Sequence, residues 1–259
     1  MRWLAILLAA LVGLAVPEAF SAQSASVSAV VVDVDAAYPP FMSGSVSNAR
    51  GLYPSIIETV FGMMGTPVYI TAKPWKRCMN ELDQGTAAVG GLYITRDRLK
   101  KYDFSDPLFT ENIFVYFNKR KPVVFHSLHD LYGLNVGVRA GWSYGNDFDL
   151  ARQQNRFAVF EANSDLQNFG KLAAGRLDVV LASPEAVHAQ IQDVTLSQIE
   201  AASTPLARNA GYLAFNKKSG AAVMLRDFNQ MLDELKQSLR YRKIISETLG
   251  AEVEDGKPE

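Results

Sequence analysis

The sequence predicts an α/β protein of two lobes, each a parallel-rich sheet flanked by helices, joined by two crossing strands. Three observations carry this reading. Short β-branched runs alternate with amphipathic stretches along the chain, the order that builds parallel strands with crossover helices. That order occurs twice, and each copy has a helix closing on Leu-x-x-Gly before a buried strand, "LDQG" at 82–85 and "LAAG" at 172–175. Two further β-rich runs, in "NIFVYFNKRKPVVF" and "ARNAGYLAFNKKSG", end in Asn-Lys and fit strands passing between the lobes.

The chain begins with Met1-Arg2, an apolar run over 3–16, Pro17 and the small residues of "EAFSAQSAS". This is the three-part pattern of a secretory signal peptide, expected to span 1–24. The run is shorter than the roughly 20 residues that span a bilayer, and no later segment reaches that length. Cys78 is the only cysteine, so the chain has no internal disulfide, and no cysteine follows the leader to accept a lipid. Its helical setting suits a buried thiol.

In the first copy, "SAVVVDVDAAYPPF" is a strand (about residues 28–34) ending in a Pro-Pro turn. "GLYPSIIETVFGMMG" has apolar residues at helical spacing and stops at Gly65. "TPVYITAKPW" is a strand, "WKRCMNELDQG" a helix and "AAVGGLYIT" a strand. In the second copy the strands are "LNVGVRAG", "RFAVFEA" and "RLDVVLASP", and the helices "YGNDFDLARQQN" and "SDLQNFGKLAAG". A helical tail, "AAVMLRDFNQMLDELKQSLRYRKIISETLG", follows the second crossing run. Two crossings place 25–116 and 207–259 in lobe 1 and 117–206 in lobe 2. A small ligand would bind in the cleft between them, at the carboxyl ends of the strands.

Composition excludes other classes. Of 259 residues, 48% are apolar and 20% charged, and net charge is −1. The chain is therefore globular, and with no basic cluster it is not expected to bind nucleic acid. His126 and His129 in "FHSLHD" lack a third metal ligand. "GTAAVGG" lacks the Gly-Lys-Ser/Thr of a phosphate loop, and "NDFD" is too short for a calcium loop. No metal or cofactor is expected. One cation is conspicuous: in "GGLYITRDR" (90–98), Arg98 sits just inside a helix start, where a negative group would suit the helix dipole better. It either points into solvent or is held there to grip an anion.

Five segments, "DAAYPPF", "PWKRCMNELDQG", "GLYITRDRLKKYDFSDPLF", "HDLYGLNVGVRAG" and "FNQMLDELKQSLRYRKI", occur in an order that resembles bacterial periplasmic solute-binding proteins of the polar amino acid type. The resemblance covers nearly all the mature chain. It implies a monomeric, two-lobed periplasmic binding protein that closes on its ligand and delivers it to a membrane ABC permease, not an enzyme. It implies that Arg98 binds a ligand carboxylate, a task suited to a guanidinium fork. It also places Asp35, Tyr38, Trp75 and Gly91 of lobe 1, and Arg139 and Ser143 of lobe 2, around the ligand.

Two positions depart from the family pattern. Tyr93 stands where a small hydroxyl residue is usual. Ala182, before Ser183-Pro184, stands where an aspartate usually holds the ligand's ammonium. Either Asp35 or Glu185 takes that role, or the ligand is not an ordinary α-amino acid. Tyr38, Trp75, Tyr93 and Trp142 would make the cleft aromatic, suiting a planar ligand or a cation. Two other readings fit the same scaffold. One is a dehydratase like the periplasmic cyclohexadienyl dehydratases, with Asp35 or Glu185 as acid, and the other is a sensory protein presenting its ligand to a receptor.

Overall fold

β-Branched residues build the first strand, β1 (Val30–Asp35), which pairs in parallel with β5 (Val68–Lys73) and β6 (Ala88–Tyr93). These coordinates are a computed structural model that describes residues 29–250; the expected leader and the residues after 250 lie outside it. A small antiparallel sheet of β2 (Ala37–Tyr38), β3 (Met42–Ser45) and β4 (Asn48–Arg50) follows β1. The crossovers are α1 (Leu52–Met63) and α2 (Trp75–Gln84). A short helix, α3 (Arg96–Lys101), is capped by the Thr95 side chain and leads into β7 (Tyr102–Phe104).

The second copy has the same plan. Parallel strands β9 (Asn135–Arg139), β10 (Ala158–Ala162) and β11 (Val179–Ala182) alternate with α4 (Asn146–Gln153) and α5 (Asp165–Ala173). Then come α6 (Pro184–Gln190), α7 (Asp193–Leu196) and β12 (Ile199–Ala201). The two crossing runs are the long strands β8 (Phe109–Asn118) and β13 (Ala207–Asn216). They pair antiparallel with each other over 109–113 and 207–211. Beyond that stretch β8 continues along β11, and β13 along β6. The result is one curled sheet in the order β10-β9-β11-β8-β13-β6-β1-β5, its two halves forming the two lobes. The tail is α8 (Ala222–Lys236) and α9 (Leu239–Leu249), which pack on α1.

The repeated Leu-x-x-Gly helix ends have matched partners. Asn118, at the end of β8, donates its amide to the Leu172 carbonyl at 3.5 Å and accepts from the Arg120 N–H. Asn216, at the end of β13, donates to the Leu82 and Asp83 carbonyls at 3.0 and 2.9 Å and accepts from the Lys218 N–H. Each crossing strand thus ends on last-turn carbonyls of a helix in the lobe it enters, with Leu82 and Leu172 also accepting from the Gly85 and Gly175 N–H groups. The lobe 1 contact is the tighter one. Asn216→Ala should lower the unfolding free energy by about 2–3 kcal/mol, and Asn118→Ala by about 1 kcal/mol. Urea melts with unchanged slope would check this, and equal losses would contradict the asymmetry.

Candidate functional site

The carboxyl ends of β1, β6, β9 and β11 converge where the lobes meet, bringing Asp35, Tyr93, Arg139 and Ala182 to one region. Arg139 is 3% exposed and crosses from lobe 2 to lobe 1. It donates from Nη2 to Asp35 Oδ2 at 2.7 Å and from Nη1 to the Ala37 carbonyl at 2.9 Å. Asp165, at the start of α5, faces Nη1 at 3.6 Å. The guanidinium also lies over the rings of Tyr38 and Trp142, at 5.0 and 4.9 Å. Burial alone would lower its pKa, but Asp165 and Asp35 outweigh that and raise it. Both terminal nitrogens of Arg139 thus face partners within the protein, while its Nε is buried without one. Further bridges between the lobes run from Gln190 Nε2 to the Pro39 carbonyl, from Trp75 Nε1 to the Gly141 carbonyl and from the Arg96 N–H to Asn146.

The four expected aromatics meet around Trp142. Its ring lies 4.5 Å from Tyr38, 5.5 Å from Trp75 and 5.7 Å from Tyr93. Trp75, Gly91, Tyr93, Arg98, Trp142 and Ser143 surround a void of only about 10 Å³. On one side of this cluster, Arg98, Trp142 and Ser143 also line a cavity of about 330 Å³ with Asp149 and Glu161. Next to it, and sharing Gly141 and Glu161 with it, lies a cleft of about 710 Å³ lined by Asp35, Trp75 and Arg139. Gly91 has φ +76°, and a Cβ there would lie 2.8 Å from the Tyr53 ring and 3.0 Å from Met42 Cε. Packing therefore demands glycine at this edge of the void. The Ser143 hydroxyl donates to Asp149 and accepts from the Gly145 N–H.

Arg98 is half-buried, and among the described residues its guanidinium makes one hydrogen bond, from Nη1 to the Tyr93 carbonyl at 2.8 Å. Among the described residues no carboxylate forms an ion pair with it. Burial lowers its pKa, against the opposing charge of Asp149. Glu185 lines neither cavity, and one of its oxygens is buried without a partner.

Sequence reasoning missed Glu111. It is fully buried on β8, where the phenols of Tyr38 and Tyr53 both donate to its carboxylate. Tyr93 lies close enough to add to this effect, although its hydroxyl makes no hydrogen bond of ordinary geometry. Burial still dominates and raises the Glu111 pKa from 4.5 to about 7. The signal was present: Glu111 shares the buried face of β8 with Ile113 and Val115, and an acid on an apolar face needs partners. Asp165 was also missed, because an acid at the first position of a helix is ordinary on the surface.

A family model for bacterial extracellular solute-binding proteins, family 3, matches residues 30–251. The chain belongs to that family. Among curated relatives of this family-3 protein, the L-cystine-binding protein TcyJ of Escherichia coli (strain K12) is 22% identical over 86% of this chain and 84% of its own. A histidine kinase sensor domain with similarity to periplasmic binding proteins superposes with TM-score 0.74 at 20% identity, covering 86% of this chain and 96% of that one. The ancestral amino acid-binding protein AncCDT-1, a precursor of cyclohexadienyl dehydratase, gives 0.68 at 21% identity over 85% and 95%. These structures share the two-lobed fold.

The raised Glu111 pKa carries a stability consequence with a definite sign. Between pH 4.5 and about 7 the folded protein holds a proton that the unfolded chain releases, so stability falls as pH rises through this window and levels off above it. The unfolding free energy of wild type relative to Glu111→Gln should drop by about 3 kcal/mol across the window. Chemical denaturation of both proteins from pH 4.5 to 8 measures this, and a flat difference would show that Glu111 does not titrate there.

Proposed function

We propose that this protein is exported to the periplasm, where it works as a monomer that captures a small carboxylate-bearing solute, an amino acid or amino-acid-like compound, and delivers it to an ABC importer. Lobe 1 comprises 25–116 and 207–259 and lobe 2 117–206, with β8 and β13 as the hinge. The observation that carries this reading is Arg98. It is a partly desolvated guanidinium at a cavity between the lobes, with one of five N–H donors used and no ion-pair partner among the described residues. A ligand carboxylate supplies that partner, and the planar fork can meet it with two parallel bonds. Membership of a solute-binding family and a cystine-binding relative support the solute class.

In this reading Tyr38, Trp75, Tyr93 and Trp142 form the walls of the site, while Asp35 and Arg139 tie the lobes in the closed form. Opening breaks the Asp35–Arg139 pair and parts Trp75 from Trp142, so solute enters as the aromatics separate. Glu111 is the one acid poised near neutrality for the dehydratase alternative. It is sealed behind Tyr38 and Tyr53, which favours binding without turnover.

Arg98→Ala should cost about 2–5 kcal/mol of binding energy, a loss of roughly 30-fold to several thousand-fold in affinity. Arg98→Lys should also bind poorly, since a point charge cannot reproduce the fork. The measurement is calorimetric titration with the solute recovered from the purified protein and identified by mass spectrometry. Undiminished affinity in Arg98→Ala would remove Arg98 from the site, and conversion of the solute on prolonged incubation would favour the dehydratase.

A further inference from the structure

The dry junction between the lobes holds more acid than base. Among the described residues, Asp35, Glu111 and Asp165 are buried there with a single arginine, Arg139. Arg139 is committed to Asp35 and Asp165. Glu111 forms no ion pair among the described residues, and its partners are phenols.

Glu111 lies where β8 and β13 cross, opposite Asn209. Lobe 1 covers it with Tyr38 of β2 and Tyr53 of α1, both donating to it, and with Tyr93 at the end of β6. Lobe 2 covers it from the other side. The Tyr38 hydroxyl is 3.4 Å from Ser183 Oγ at the start of α6, and the Tyr38 ring meets Trp142 at 4.5 Å and the Arg139 guanidinium at 5.0 Å. Asp165 of α5 acts on Tyr38 from the same lobe. Glu185 of α6 adds a second carboxylate, with one oxygen buried and unpartnered, and its charge opposes ionisation of Glu111. The other titratable groups on these elements, Glu58 of α1, His188 of α6 and Arg208 of β13, are exposed.

We propose that closing the lobes takes up one proton from solvent onto Glu111, so that acid favours the closed form. This goes beyond solute capture but rests on the reading of the chain as a two-lobed protein that opens and closes. Closure brings Glu111 and Glu185 together from opposite lobes away from water, where ionising both is costly. Parting the lobes withdraws Ser183, Glu185 and the cover over Tyr38, and water can then stabilise the ionised Glu111. The closed form also has a place for the proton's hydrogen bond: the Tyr93 hydroxyl is buried beside Glu111 without a partner and can accept from the protonated carboxyl. The sign follows from the raised pKa of Glu111 in the closed form. The closed-to-open ratio is highest at pH 4.5 and below, falls as pH rises toward about 7, and levels off above.

Small-angle scattering from the mature protein between pH 4.5 and 8 reads the lobe separation. Wild type should be compact at the acid end and expand toward pH 8, its closed-to-open ratio falling by up to about tenfold per pH unit. Glu111→Gln is neutral throughout, and its radius of gyration should stay constant. Arg139→Gln breaks the tie between the lobes and should be larger than wild type at pH 4.5. A wild-type radius that ignores pH, or a Glu111→Gln profile that follows wild type, would overturn the proton coupling. Expansion of Arg139→Gln in that case would leave the opening and closing of the lobes intact, whereas no expansion in any of the three proteins would overturn both. Should Arg139→Gln fail to fold, the profiles of wild type and Glu111→Gln decide the inference by themselves.

Discussion

A buried arginine held by carboxylates from both lobes governs the geometry of this protein. Removing a guanidinium from water costs several kcal/mol even after relaxation, and at Arg139 that cost is offset from both sides of the cleft. Asp35 and the Ala37 carbonyl reach it from lobe 1, and Asp165 from lobe 2. The rings of Tyr38 and Trp142 cover its surroundings. Because Arg139 ends β9 and Asp35 ends β1, the pair sets the spacing between two strand ends in different lobes.

The same coupling separates two arginines that the sequence alone would treat alike. Arg139 finds its counter-charges within the fold, whereas Arg98 is left with a single carbonyl. One is a structural bridge, and the other has capacity to spare. The distinction arises from topology: β9 and β1 point at each other across the junction, while Arg98 lies on α3 beside a cavity.

Much of the fold was legible because each lobe repeats a simple strand–helix alternation, and the crossing strands announced themselves as β-rich runs ending in Asn-Lys. The clustering of four aromatics was also readable, since Tyr38, Trp75, Tyr93 and Trp142 lie in or beside loops at strand ends. The partners of charged groups were not. Nothing local to Asp165 says that it faces Arg139, and Glu111 meets Tyr38 and Tyr53 only once β8 crosses behind them. Such pairings join residues far apart in the chain, so spacing carries no trace of them. Gly91 is a mixed case. Its place on the cavity edge was anticipated from resemblance, but the contact that forbids a side chain there is with Tyr53.

The meeting of Trp75 and Trp142 has a practical corollary. Of the three tryptophans in the chain, one is Trp3, outside the described residues, and the other two face each other across the lobe junction with ring centroids 5.5 Å apart. Tryptophan emission from the described residues therefore originates at the place where the lobes meet. Both indoles are buried, and the proposed opening would bring them into water while uncoupling their transitions. The pair would thus serve as a built-in optical gauge of the proposed motion, with tryptophan fluorescence and exciton circular dichroism reporting opening without any attached dye.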